Sequence, residues 1–453
     1  LQQILEMMKN IVKNALLTAS VLMIGAMSVD AQTDSSYSDG YSKLRFGGYG
    51  EMLASWQNYG LNRWSGSSVG NSEINHAKIS LPRFVLAFDY KFNEKWILGT
   101  EIEFEAGGTG MAMEIESGSG SENGEYETEI EKGGEVALEQ FHITRKIIKE
   151  VNIRAGHLIV PVGLTNAHHE PINFFTTFRP EGATTIMPCT WHETGIELFG
   201  TIGKDSYKFD YETQIVAGQN PLGFSRYNWI KGGKQGFFET DNFTRPAYVL
   251  RLDYKGIEGL RVGTSMYYCH DAGKNADRLI TFRNYDPINV KIFSLDAQYK
   301  NKYVTFRGNY LCGNLDEALS VDKVIRVYSS QSGYSRTTNV AEKALNYNFE
   351  LGVNIKNIFN AGDKFPVLYP FAHYEYYNSQ EKGADLQLMD DRCQVNYWTW
   401  GLNYFALPNL VVKADYTCRK IGTNEMFKNT KSQYNNENEF CISVAFVGWF
   451  WQK

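Results

Sequence analysis

Beyond residue 31 the sequence has no apolar run of about 18 residues, so no membrane-spanning helix is expected there. Basic excess is missing too. The net charge of −6 argues against a nucleic-acid partner, whose binding domain would be basic. Proline is sparse, 11 residues against 41 glycines, a balance that suits strands joined by glycine turns. The six cysteines, Cys189, Cys269, Cys312, Cys393, Cys418 and Cys441, have no metal-motif spacing. An oxidising compartment would permit disulfides. Strand parity nevertheless places Cys418 and Cys441 on opposite faces of neighbouring strands, which disfavours a bridge between them.

What is abundant is aromatic: 28 Tyr, 27 Phe and 9 Trp. These residues fall in period-two patterns. Tyr248, Leu250, Leu252 and Tyr254 alternate with Arg251, Asp253 and Lys255; Trp96, Leu98, Ile102 and Phe104 share one face, and Glu101, Glu103 and Glu105 the other. Such segments recur from Lys43 to the end, giving about sixteen strands of roughly ten residues, an even number of membrane length. Short connections, such as Asn93-Glu94, Lys149-Glu150 and Leu407-Pro408-Asn409, alternate with long ones near 58–73, 107–135, 161–192, 219–245, 271–287, 314–343, 379–391 and 420–437. Every long loop then emerges at one end, as in a transmembrane barrel and not in a soluble sandwich. The one departure is Lys356 to Phe365, a turn longer than its siblings. The fold class is all-β, a transmembrane antiparallel β-barrel with lipid outside and charges lining a wet lumen. Trp96, Trp398, Trp400, Trp449 and Trp451 are placed near strand or turn edges, as an aromatic girdle requires.

The N-terminus reads as an export signal, residues 1–31. Lys9 and Lys13 precede an apolar stretch from Ala15 to Met27, and Val29-Asp30-Ala31 forms a small-residue cleavage site. Met7 or Met8 is a better start than Leu1, so residues 1–6 read as an upstream artefact of start assignment. Residues 32–42 form a short N-terminal segment and 43–453 the barrel, located in the outer membrane.

From Gly156 to Gly200 lies an insert with no usable period through its middle, broken by Pro161, Pro171, Pro180 and Pro188. It holds four of the eight histidines. Long irregular inserts of this kind are usually functional or disordered. Disorder fits poorly, because Phe174, Phe175, Phe178, Ile186, Met187 and Trp191 need a wall to pack against. The expectation is that this third long loop folds inward and narrows the lumen.

The motifs AGHLIVPVGLTNAHHEPINFF, RPEG, WHETG, NWIKGGKQGFF and YWTWGLNYFALPNLVVKADY resemble those of the phosphate-selective porin O and P family, in particular its members from Bacteroides-type bacteria. The resemblance spans nearly the whole mature chain and implies a sixteen-stranded homotrimeric porin with an inward-folded third loop, embedded in outer-membrane lipid. Passive diffusion of small hydrophilic solutes or ions follows, with no cofactor, no metal and no enzymatic activity expected. The alternatives are a structural or adhesive barrel with a closed lumen and a barrel hydrolase. Phosphate specificity is not carried over. The inward cations Arg45, Arg83, Arg154, Arg251, Arg261, Arg307, Lys413 and Arg419 interleave with many inward carboxylates, and mixed charge cancels an anion-selective field. The chain also departs from the family in adding Gln452 and Lys453 after Trp451.

The loop residues expected at the constriction are His168, His169, Glu170, Arg179 and Glu181. They face a wall of Arg83, Glu101, Glu103, Arg154, Arg251, Arg307, Lys413 and Arg419. Histidines there would gain charge below about pH 6.5 and make conductance acid-sensitive. His168-His169-Glu170 and His192-Glu193 lack the i, i+4 spacing of a helical zinc site, so loop packing is the preferred reading. The acidic second loop, Glu114 to Glu135, reads as a solvated charge block, with divalent-cation binding as the alternative. The glycines of Lys231 to Gly236 are turn glycines, since no strand-to-helix phosphate loop surrounds them. His142, His270 and His373 lie in expected strands without a placed nucleophile, which leaves the roles of a hydrolase unfilled.

Overall fold

A computed structural model describes residues 43–59, 75–108, 112–115, 128–131, 135–235, 241–276, 286–323, 339–362, 364–384, 389–422 and 436–452. The expected signal, residues 1–31, and the 32–42 segment lie outside them. In chain order the first strands are β1 (Leu44–Tyr59), β2 (Asn75–Asn93), β3 (Trp96–Glu105), β4 (Ala112–Ile115), β5 (Thr128–Glu131), β6 (Glu135–Ile148), β7 (Val151–Ile159), β8 (His192–Ile202) and β9 (Phe209–Val216). They are followed by β10 (Ala247–Ile257), β11 (Leu260–Cys269), β12 (Val290–Lys300), β13 (Val304–Leu315), β14 (Lys343–Val353), β15 (Val367–Lys382), β16 (Gln394–Leu407), β17 (Leu410–Ile421) and β18 (Asn436–Gln452).

All but β4 and β5 form one closed antiparallel barrel of sixteen strands, each paired with its neighbours and sealed by β1 against β18. Closure removes every open edge, which a lipid environment demands because no water there can satisfy unpaired backbone groups. The short and long connections alternate around it. β4 and β5 form a separate hairpin inside the second long loop, an element the glutamate-rich sequence did not announce. The rest of that acidic stretch, and its side chains, fall outside the described residues. The long turn after β14 contains one helical turn, Ile355–Ile358, whose Asn357 amide is capped by the Asn354 side chain.

The alternation read from the sequence fixes the two faces. Along β10, Tyr248, Leu250 and Leu252 are exposed on the outside while Val249, Arg251 and Asp253 are buried on the inside. An outward apolar band and a polar interior are the inverse of a soluble barrel and the signature of one in lipid. Trp96, Trp449 and Trp451 are exposed at the turn end, as expected of a girdle. Trp398 and Trp400 depart from that expectation. They lie well inside β16, exposed on one face because they are two residues apart, and stack on each other with centroids 6.0 Å apart.

Part of the inner wall is apolar where the third and fourth long loops pack onto it. Ile186, Met187, Trp191, Trp229 and Ile230 join Val249, Tyr267, Ile292 and Leu311 in one buried cluster. Phe174 and Phe175 are buried as expected, whereas Phe178 remains 39% exposed. Gly352 gives Phe175 its seat: a Cβ there would sit 2.2 Å from the ring. We predict that Gly352→Val destabilises the folded barrel by about 1–3 kcal/mol through overpacking. Heat-modifiability on gels should report it as a lower transition temperature; an unchanged transition would show that the ring is not tightly seated. All six cysteines are unpaired. Cys441 lies opposite Asp415 on the lumenal face, whereas Cys418 lies opposite outward-facing Trp398.

Candidate functional site

The third long loop, between Ile159 and His192, folds inward against the wall. Its prolines stop strand pairing, and Asn166 ties its two ends together. The Asn166 side chain accepts a hydrogen bond from the Trp191 amide at 2.6 Å and donates to the carbonyl of Val160. Two short helices, Leu164–Ala167 and Glu181–Ile186, interrupt the irregular backbone. Neither was expected, being too short to carry a helical period.

Wall side chains hold the loop by its backbone. Lys413 Nζ donates to the carbonyls of Pro171, Phe174 and Thr176 at 2.5, 2.8 and 3.0 Å. Asp415 accepts from the Thr177 amide at 2.5 Å, and Glu350 from the Phe175 amide at 3.2 Å. Glu375 accepts from the amides of Glu181 and Gly182 at 2.7 and 2.9 Å. Ser265 and Asn309 accept from Gly163 and Leu164. Arg251 reaches the carbonyls of Pro161 and Gly163 at 3.4 and 3.5 Å, and Arg83 that of His169 at 3.0 Å. An irregular segment cannot satisfy its own amides and carbonyls, so these wall groups stand in for the water they displace.

This geometry revises the expected constriction. Arg83, Arg251, Lys413 and Arg419 do not face the loop across open water; they are buried beneath it and grip it. Arg307 is likewise buried, 2.6 Å from Glu350 and stacked over Phe175. Arg154 pairs with Glu197 at 2.9 Å, and Glu103 is buried 3.9 Å from Arg83. Glu101 is half-buried and accepts from Gln140 at 2.6 Å. On the loop, His169 is buried, whereas His168, Glu170, Arg179 and Glu181 are half-buried. Glu170 accepts from Asn173, and Glu181 is bound by Arg419. Arg179 donates to the Thr190 hydroxyl at 3.2 Å and interacts with Glu103. The structure adds two groups that the sequence reading placed only in a glycine turn and on a strand face. Exposed Lys231, from the fourth long loop, interacts electrostatically with Arg179 and Glu105, and Glu105 is itself exposed. A lysine among turn glycines gave no signal that its loop dips toward the third.

Several other lumenal charges are matched by opposite ones: Arg45 lies 2.5 Å from Asp89, Arg251 2.8 and 3.0 Å from Asp253 and Asp296, and Lys255 2.9 Å from Asp210. This is the mixed arrangement the sequence implied.

Among solved structures, the outer membrane channel DcaP of Acinetobacter baumannii matches with a TM-score of 0.50 at 12% identity, over 91% of this chain and 99% of its own. An anion-selective porin from Comamonas acidovorans matches with a TM-score of 0.50 at 8% identity, over 90% of this chain and 100% of its own. The chain folds as a porin-type barrel. No family model matches it. An uncharacterised protein of Aquifex aeolicus (strain VF5) is 28% identical over 354 residues, 75% of this chain and 70% of its own length.

Within this porin-type barrel, the surroundings of His168 disfavour its charged form. Its Nε2 is enclosed without a hydrogen-bond partner. Burial holds the imidazole well below its ordinary pKa, and the positive charges of Arg261, Arg251 and Lys255 push the same way. A group whose folded pKa is depressed in this way stays neutral as the lumen is acidified, and below the unfolded pKa of about 6.5 proton uptake favours the unfolded loop. The earlier expectation of charge gain near pH 6.5 is therefore corrected for this residue. We predict superimposable conductance for wild type and His168→Gln between pH 8 and 5. A step near pH 6 seen only in the wild type would contradict it.

Proposed function

We propose that this barrel is an outer-membrane porin, a water-filled channel for passive diffusion of small hydrophilic solutes or ions, and not an enzyme. The observation carrying the proposal is the loop anchored across the lumen by buried wall charges, with Arg179, Glu181, Lys231 and Glu105 left half-buried or exposed beside it. Anchoring of this kind fixes an aperture, whereas a structural barrel needs none. Opposite charges at the rim favour dipolar or weakly charged solutes over strong selection of one sign. The paired lumenal arginines give no support to phosphate specificity, although the motif resemblance names that family. The strand histidines that a hydrolase would need are otherwise engaged: His142 near Thr144, and His373 between Glu350 and Glu375. His270, just past the end of β11, contacts Asn289. Removal of residues 1–31 on export and assembly as a homotrimer in outer-membrane lipid belong to the same proposal.

Liposome swelling tests it. Proteoliposomes of the refolded protein should admit small uncharged sugars, with a rate falling steeply as sugar size increases. Swelling no faster than that of empty liposomes would favour the closed structural barrel.

A further inference from the structure

A bulge in β6 turns an extra side chain into the lumen. β3 and β6 pair Glu101 with Gln140 and Ile102 with Leu138, so Glu139 is the supernumerary residue. Bulges of this kind re-aim side chains, often next to functional sites. Glu139 is fully buried and accepts from the Tyr49 hydroxyl at 3.0 Å, while neighbouring Gln140 bonds Glu101. His169 arrives from the third loop, 5% exposed, with its ring against Tyr49. The ligand-type atoms of Glu101, Glu139 and His169 all lie within 4.8 Å of one another.

Two further observations separate this cluster from a simple ion pair. Glu139 Oε1 and His169 Nε2 are both enclosed and make no hydrogen bond, and they lie 3.9 Å apart. That is too long for a hydrogen bond, but it suits two ligands each about 2.0–2.2 Å from a shared ion. The opposite atom of each group is already engaged. His169 Nδ1 faces the Asn166 carbonyl at 3.3 Å, which places the ring hydrogen there and leaves the Nε2 lone pair available. Tyr49 and Gln140 bond the second oxygens of Glu139 and Glu101, so the ligands are oriented before any ion arrives.

We propose that Glu101, Glu139 and His169 form a binding site for a divalent first-row transition ion that fastens the third loop to β3 and β6. An imidazole beside two carboxylates suits zinc, manganese or iron better than magnesium or calcium, which prefer all-oxygen sites. Arg83 lies close by, but Glu51 and Glu103 offset its charge, leaving the two ligand carboxylates to attract a cation. Half-buried Glu101 gives the ion its route from the lumen. The adjacent-histidine reading missed this site because its ligands come from two strands and a loop.

The test is zinc titration by calorimetry on tag-free, chelator-treated, refolded protein, with the visible absorption of cobalt as a second readout. The wild type should bind a single ion per chain. Glu139→Gln and His169→Ala should each weaken binding by at least about 100-fold, since even losing an outer partner of a metal ligand costs about 10–100-fold. His270→Ala, at an exposed histidine elsewhere, should leave binding unchanged. If His169→Ala gives no folded, heat-modifiable band, the near-isosteric Glu139→Gln and Glu101→Gln carry the comparison. No saturable zinc binding by the wild type, or binding that survives both glutamine variants, overturns the proposal. Neither readout depends on channel activity, so the site stands or falls separately from the transport reading.

Discussion

Replacing Lys413 with methionine should raise single-channel conductance and make it noisy. The ammonium sits 1% exposed against three loop carbonyls and 4.2 Å from the centre of the Phe174 ring. Methionine keeps the bulk but strands those carbonyls, and it removes a cation from beside Asp415 and Glu350, of which Glu350 keeps Arg307. Removing one partner from a buried charged network typically costs about 3–5 kcal/mol. A loss of that size falls on the segment Pro171 to Thr176 and shifts its bound-to-detached ratio by about a hundredfold or more. Larger sugars should then pass in liposome swelling while the barrel, sealed by its ladders, remains folded. Wild-type conductance and size limit in Lys413→Met would mean that the loop is held elsewhere.

Arg419→Leu is expected to act on both aperture and charge. Arg419 binds Glu181 and lies 3.8 Å from Glu439 and 4.0 Å from Glu437, with only 6% of its surface exposed. Its removal takes one cation away from three carboxylates. By the same buried-pair reasoning the cost is about 3–5 kcal/mol. The helix Glu181–Ile186 keeps its hold on Glu375 through two amides, so the segment should loosen without leaving the wall. The reversal potential across a KCl gradient should move toward cation selectivity, and the shift should shrink in high salt, where the exposed part of the field is screened. An unchanged potential would show that Glu181 lies off the conduction path.

The barrel was legible because its rule is local. Lipid on one side and water on the other impose period two on every strand, and Tyr248 to Lys255 displays it without help from distant residues. Loop order followed from connection lengths alone. The site was legible only in part. His168 to Glu181 could be placed in an inward loop from its prolines and aromatics, but not the side of each residue that meets the wall. That depends on register between segments more than two hundred residues apart, as with Lys413 and Pro171. Hence cations expected to face solutes turned out to grip backbone, and His169 is buried. The bulge at Glu139 has no sequence mark, since one extra residue in a strand leaves its composition unchanged.

Single-channel recording of the refolded mature protein in a planar bilayer is the most direct test of the central claim, a lumen kept open at an aperture set by the anchored third loop. We predict discrete open steps in the wild type, grouped in threes if the homotrimer forms, and larger steps in Lys413→Met. Folded, heat-modifiable wild-type protein that inserts and gives no steps would contradict it.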